Sequence, residues 1–245
     1  MTTVLERTAL ITGGSRGVGA CIARLLAHAG VDVAITYRNK AGRAQEVIAD
    51  VEAAGRRGIA VQADMSLNED LDALMVKTGG AFGHIDLLVL NASGGMEKDK
   101  PADYAMLLNR DAQIQMLNRA VPLMPRGSRV VFVTSHPAHF YPGKPVYPAY
   151  EPVAASKRAG EDALRARIPE LAAKGIDLIV VSGDLIEGTI TAKLLDRNAP
   201  GLIEFRRNQA GSLPTVDEFA LAIVTAAQDN TLKTGDTVYV GNIDY

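Results

Sequence analysis

The sequence predicts an α/β fold: a doubly wound parallel sheet of about seven strands, with helices on both faces. Three observations predict it. Short β-branched apolar runs alternate with helical patterns along the whole chain. Those runs are apolar along their whole length rather than at every second position, as strands buried on both faces require. No linker, repeat or low-complexity stretch interrupts the 245 residues, so residues 1–245 read as a single domain.

Taken in order, residues 8–12 are the first strand. A helix over 17–29 follows, with Val18, Ile22, Leu25 and Leu26 at helical spacing. Residues 31–37 are the second strand, and 41–54 a helix stopped by Gly55. Residues 58–62 are the third strand, 68–82 a helix stopped by Gly83, and 85–90 the fourth strand. A long helix within 102–122 leads to a fifth strand at 129–134. Residues 154–173 read as helix, ended by Gly175, and 176–181 as the sixth strand. A helix over 216–227 and a strand over 237–240 complete the series. Right-handed crossovers wind such a chain into a sheet whose ligands sit beyond the carboxyl ends of the strands. The turns that follow strands are therefore where function is sought.

Composition narrows the classes. The chain is 47% hydrophobic and 22% charged, enough for a sizeable core. Its 26 Lys+Arg stand against 28 Asp+Glu, a balance that disfavours a general nucleic-acid binder. A lone cysteine, Cys21, excludes an internal disulfide and a cysteine-based zinc site. Met1 to Arg7 is polar and acidic with no apolar signal core, and no run approaches the ~20 apolar residues of a membrane span. The expectation is a soluble, cytoplasmic protein without nucleic-acid or membrane partners.

The turn after the first strand is the most informative. Thr12-Gly-Gly-Ser-Arg-Gly-Val-Gly19 runs straight from strand into helix. Gly13, Gly17 and Gly19 permit positive φ and close backbone approach. The helix N-terminus then presents N–H groups and positive dipole to a pyrophosphate. With Ser15, Arg16 and Val18 between the glycines, this is a Rossmann-type dinucleotide turn in the context that gives the motif meaning. The second strand ends Ile35-Thr36-Tyr37-Arg38-Asn39, without the acid that would bond a ribose 2′-hydroxyl. Arg38 beside Tyr37, together with Arg16, offers guanidinium donors to a 2′-phosphate. NADP(H) is therefore expected over NAD(H), the alternative being that Arg38 is an idle surface charge.

These residues belong to an ordered set that resembles the short-chain dehydrogenase/reductases over nearly the full chain. The other matching segments are Asp64-Met65 after the third strand and Asp86 to Gly94 around the fourth. Ser135 after the fifth strand and Ala155-Ser156-Lys157 on the next helix also match. The resemblance implies hydride exchange between NAD(P)(H) and an alcohol or carbonyl, and a homodimer or homotetramer. It implies that Asp64 bonds the adenine amino group with Met65 beside it. Asn91 and Ala92 would line the cofactor, Lys157 would hold its ribose, and Ile186 and Thr189 would meet its carboxamide. Ser135 would bond the substrate oxygen.

One departure is central. The family's catalytic tyrosine stands four residues before its lysine, and that position here is Val153, which cannot move a proton. Tyr150 lies seven residues before Lys157, about two helical turns. Pro152, however, reads as the first helical position, which leaves Tyr150 in the incoming loop, outside that count. A loop that folds it back toward the nicotinamide would restore the acid; Tyr147 is a second candidate of the same kind. The segment 136–152 holds five of the 11 prolines and four of the 12 Phe and Tyr residues. It reads either as a stiff pocket wall or as a surface insertion packed by its own aromatics. His136 and His139 read as hydrogen-bonded loop residues ahead of proton relays.

Three smaller points remain open. Asn109 or Arg110 occupies the place of a supporting helix asparagine. Asp184 stands in a turn where the family has Pro-Gly, without an account. Arg197, Arg206 and Arg207, in the segment after the sixth strand, read as solvated charges ahead of substrate ligands. The favoured function is an NADP(H)-dependent oxidoreductase acting on a small carbonyl or alcohol through Ser135, Tyr150 and Lys157. The alternative is an NADP(H)-binding sensor or scaffold without hydride transfer.

Overall fold

The computed structural model describes residues 7–97 and 100–244. Residues 1–6, which carry most of the segment read above as lacking a signal core, lie outside the described residues. The described residues form seven strands: β1 (Thr8–Ile11), β2 (Asp32–Tyr37), β3 (Gly58–Gln62), β4 (Leu87–Leu90), β5 (Arg129–Ser135), β6 (Asp177–Gly183) and β7 (Thr237–Val240). All pair in parallel, in the order β3-β2-β1-β4-β5-β6-β7. The order reverses between β1 and β4, which opens a crevice at their carboxyl ends.

The helices, in chain order, are α1 (Gly17–His28), α2 (Ala41–Ala53), α3 (Asn68–Phe82), α4 (Tyr104–Met106), α5 (Ala112–Ala120) and α6 (His136–His139). They continue with α7 (Glu151–Arg165), α8 (Ile168–Ala173), α9 (Ile190–Asn198), α10 (Leu202–Ala210) and α11 (Val216–Gln228). The strand pleat sorts side chains between two cores. Val131 and Val133 of β5 join Ile22, Leu26, Val47 and Ile223 of α1, α2 and α11. Val130 and Phe132 join Leu71, Leu74, Met116, Leu117 and Leu171 of α3, α5 and α8 on the other face. Each fully buried Leu or Ile of these layers contributes about 2 kcal/mol.

The structure corrects several sequence boundaries. The helix read at 154–173 begins at Glu151 and is two helices, because Pro169 opens α8 with a residue that lacks the N–H needed to continue α7. The long helix within 102–122 contains a π-helical turn at Leu107–Asp111. The proline-rich segment is not irregular throughout: it holds α6 and a 3₁₀ turn at Pro148–Tyr150. The segment after β6 carries α9 and α10. Among the described residues, no helix is long and apolar enough to cross a membrane.

Candidate active site

A cleft of about 740 Å³ runs across the carboxyl ends of the strands at the switch point. Every residue read above as a cofactor or catalytic group lines it. The glycine turn supplies its floor through Gly13, Ser15, Arg16, Gly17, Val18 and Gly19. Two threonines shape that turn. Thr12 Oγ1 accepts from the Asn91 and Ala92 N–H groups at 3.0 and 2.9 Å, and Gly13 N–H donates to Thr36 Oγ1 at 2.8 Å. Asn91 Nδ2 donates to the Thr12 carbonyl at 2.9 Å, which ties β4 to the turn. Gly13 has φ +71°, and a Cβ at Gly19 would lie 2.5 Å from the Gly13 oxygen. No side chain caps α1, so its first-turn N–H groups are left for an anion.

Tyr37, Arg38, Asp64 and Met65 stand at one end of the cleft. Arg38 donates to the Tyr104 hydroxyl at 2.8 Å and approaches the Asp64 carboxylate at 3.5 Å. Burial raises the pKa of Asp64, but the Ser66 N–H and hydroxyl, together with Arg38, outweigh it and hold the carboxyl below its ordinary range. Lys40 and Arg43 join Arg16 and Arg38 on the same wall. The sequence reading missed these two, although the basic residues clustered after β2 were the available signal. Four cations in the cleft with the uncapped start of α1 suit an anionic dinucleotide.

At the opposite end, Tyr150 and Ser135 meet. Their hydroxyl oxygens are 3.0 Å apart. Tyr150 closes the 3₁₀ turn and is the N-cap of α7, with φ −105° and ψ −11°. As the sequence predicts, Tyr150 lies ahead of the helix: it ends the 3₁₀ turn and α7 starts at Glu151, and the turn folds it back so that it and Lys157 both line the cleft. Burial pushes the Tyr150 pKa up, opposed by the bond to Ser135. Lys157 is 8% exposed, and burial pulls its pKa down to about 8, opposed by Glu161. Its Nζ has no hydrogen-bond or ion-pair partner among the described residues, so its three donors remain for a ligand.

Val153 packs away from the cleft. It lies in an apolar cluster with Ala138, Tyr150, Leu195 and Leu202, close against Gly95. Tyr147 lines the cleft beside Tyr150. Ile186 and Thr189 line it beyond β6, where Thr189 also caps α9.

The remaining questions from the sequence are answered by position. Asn109 is buried in the π turn; its Nδ2 donates to the Gly94 carbonyl at 2.8 Å and to Ser156 Oγ at 3.0 Å. Arg110 instead pairs with Asp111 at the surface. A Cβ at Gly160 would sit 2.1 Å from the Asn109 carbonyl oxygen, so this glycine lets α7 lie against the π turn. His136 and His139 do not line the cleft. His136 Nδ1 bonds Ser182 Oγ at 2.8 Å, and burial lowers its pKa to about 4. His139 joins the Glu161 carboxylate, at 2.9 and 3.0 Å, to the Tyr239 hydroxyl at 2.9 Å. Arg207 pairs with Glu187 at the surface, but Arg206 is not the solvated charge expected. It is 2% exposed and meets Asp184 bidentately at 2.9 and 2.8 Å, which accounts for the acid in that turn.

Comparison with known proteins places the chain in a family. The family model of short chain dehydrogenases matches residues 7–199. Hydroxynaphthalene reductase arp2 of Aspergillus fumigatus is 33% identical over 204 residues, which span 80% of this chain and 72% of that protein. The 1-cyclohexenylcarbonyl-CoA reductase of Streptomyces collinus is 34% identical over 188 residues, 74% of this chain and 65% of that protein. A crystal structure of a short chain dehydrogenase from Burkholderia cenocepacia J2315 in complex with NADP superposes with a TM-score of 0.81 at 29% identity, over 96% of both chains. The chain belongs to the short-chain dehydrogenase family and is an oxidoreductase that uses a nicotinamide cofactor.

Proposed function

We propose that this protein reduces a small-molecule carbonyl with NADPH, and that Tyr150 is its proton donor. The observation that carries the reading is the 3.0 Å approach of the Tyr150 and Ser135 hydroxyls in the cleft that also holds Lys157. Bound in this cleft, NADPH would supply the hydride for the carbonyl carbon. The protein's own groups do the rest. Ser135 donates a hydrogen bond to the substrate oxygen and fixes its distance from Tyr150. The Tyr150 hydroxyl gives its proton to that oxygen as negative charge develops there, so the product is the alcohol and solvent reprotonates the phenolate. Its raised pKa keeps the phenol protonated, which suits the reductive direction. Lys157 would present its free ammonium donors to the ribose. The glycine turn would hold the pyrophosphate, with Asn91 and Ala92 beside it. Asp64 and Met65 would border the adenine, and Ile186 and Thr189 the carboxamide.

The preference for NADP(H) rests on Arg16, Arg38, Lys40 and Arg43 and on the absence of an acid at the end of β2. The Burkholderia relative was crystallised with NADP, which supports the same choice. The two reductases named above make hydroxynaphthalenes and 1-cyclohexenylcarbonyl-CoA the first compounds to screen. The family resemblance makes a homodimer or homotetramer the expected assembly, which light scattering measures.

The deciding test is NADPH oxidation across a panel of ketones and thioesters, with NADPH affinity measured in parallel. Tight binding with turnover of a ketone supports the reading. Tight binding with no turnover across the panel favours a sensor or scaffold. Turnover of enoyl thioesters alone moves the proton from an oxygen to a carbon and changes the role of Tyr150.

A further inference from the structure

The Asp184–Arg206 pair is a large polar commitment in a place where an apolar contact would suffice. Both residues are buried, and two charges withdrawn from water are a poor route to stability unless their geometry is fully used. Here it is. Arg206 Nε and Nη2 meet the two Asp184 carboxylate oxygens at 2.9 and 2.8 Å. Nη2 also donates to the Asn242 carbonyl at 2.7 Å, and Nη1 to the Asp244 carbonyl at 3.0 Å. One guanidinium therefore joins three separate parts of the chain. These are α10, which carries it, the turn after β6, which carries Asp184, and the segment that follows β7. Lys144, from the proline-rich segment, holds the intervening Ile243 carbonyl.

What this joint holds in place lies beside the proposed reaction. Leu195 of α9 and Leu202 of α10 share an apolar cluster with Tyr150 and Val153. Helix α9 packs on the 3₁₀ turn that ends at Tyr150. Leu195 also lines the cleft, as do Asp184 and Arg206 themselves. The two helices bury little else: Phe205 and Ile190 are exposed, and Arg207 is a surface charge paired with Glu187. Their apolar contact is small, so their position depends on the joint.

We propose that Arg206 is a positioning residue: its grip on Asp184 and on the 242 and 244 carbonyls latches α9 and α10 over Tyr150 and so encloses the substrate end of the cleft. The latch acts through Leu195 and Leu202. It leaves the glycine turn and the cationic wall untouched, so it governs substrate capture and not dinucleotide binding. The reading rests on Tyr150 as proton donor, but the latch itself has a readout that needs no turnover.

The experiment compares the wild-type protein with two variants. Arg206→Lys keeps the charge and loses the fork. Asp184→Leu combined with Arg206→Met removes both charges, so no buried charge is left unpaired and the fold is kept. Hydrogen exchange is followed in residues 148–154 and 190–210, and NADPH affinity and carbonyl kinetics are measured. Expected in both variants is faster exchange in both segments together. The substrate KM should rise about tenfold or more, with kcat changed less and the NADPH Kd within about twofold. Wild-type exchange in 148–154 in both variants would overturn the latch, whatever α10 does. So would a parallel loss of NADPH affinity, which assigns the pair to the site as a whole. A wild-type protein that turns over no carbonyl defeats the proposed function alone, and the exchange result still decides the latch.

Discussion

The Tyr150 hydroxyl lies 3.0 Å from the Ser135 hydroxyl, although Tyr150 stands three residues before the position from which the family's tyrosine reaches its site. The N-cap of α7 brings the phenol to the end of β5, while Val153 turns into the apolar cluster. Tyr150→Phe should therefore lower turnover about 100-fold or more with NADPH affinity unchanged. Val153→Tyr added to that variant should restore nothing, because the side chain at 153 packs against Gly95 and does not line the cleft. Steady-state rates of the single and double variants check both statements; a double variant as active as wild type would reassign the acid to position 153.

Lys157 sets a pH limit. Its pKa, drawn down by burial from 10.5 to about 8, means that the ammonium offered to the ribose is lost as pH rises through about 8. NADPH affinity of the free protein should be flat below that pH and weaken above it. The stability effect has the opposite sign. Between about 8 and 10.5 the unfolded chain binds the proton that the folded chain has released, so the contribution of Lys157 to stability rises with pH there. Lys157→Met should thus stabilise the fold below pH 8 while abolishing the affinity step. Binding titrations and thermal melts against pH read the two effects separately.

Arg38 is expected to select the cofactor. Its partners in this structure are the Tyr104 hydroxyl and the Asp64 carboxylate, and it shares a wall with Arg16, Lys40 and Arg43. A charge-assisted bond to a 2′-phosphate is worth about 1.5–3 kcal/mol. Arg38→Ala should therefore weaken NADPH about ten- to 100-fold and NADH far less. Equal losses for both dinucleotides would show that Arg38 acts on the adenine or on the local fold.

His136 should make the fold acid-sensitive. It is fully buried with its pKa lowered to about 4, first by desolvation, while Asp184 opposes the shift. As pH falls from 6.5 toward 4, the unfolded chain takes up a proton that folded His136 refuses. Stability is lost across that window, by up to about 3 kcal/mol. His136→Asn, which can still bond Ser182, should flatten this part of the melting-temperature profile. An unchanged slope would place the acid sensitivity on other groups.

The sequence by itself determined the succession of elements: alternating strands and helices of a parallel sheet, and a glycine turn at the end of the first strand. Those features are local or periodic. Apolar runs, glycines at fixed offsets and the lack of an acid after β2 are written in adjacent residues, so Gly13, Gly17, Gly19 and Arg38 were legible. Ser135 and Lys157 were legible only through the family's ordered motifs. What the tertiary structure decided depends on residues distant in the chain. Whether Tyr150 reaches Ser135 turns on α7 beginning at Glu151, one residue before Pro152, a boundary that periodicity places only to within a few residues. Arg206 looks like a surface charge in sequence because the one acid beside it, Glu204, is two residues away and so on another face of the helix; Asp184, 22 residues away, becomes its partner only when the chain folds. His139 and Glu161 likewise have no local signal, since a hydrogen bond between two helices leaves no period behind. Periodicity records which face of an element is buried; it does not record what that face meets, and the chemistry of this cleft depends on those meetings.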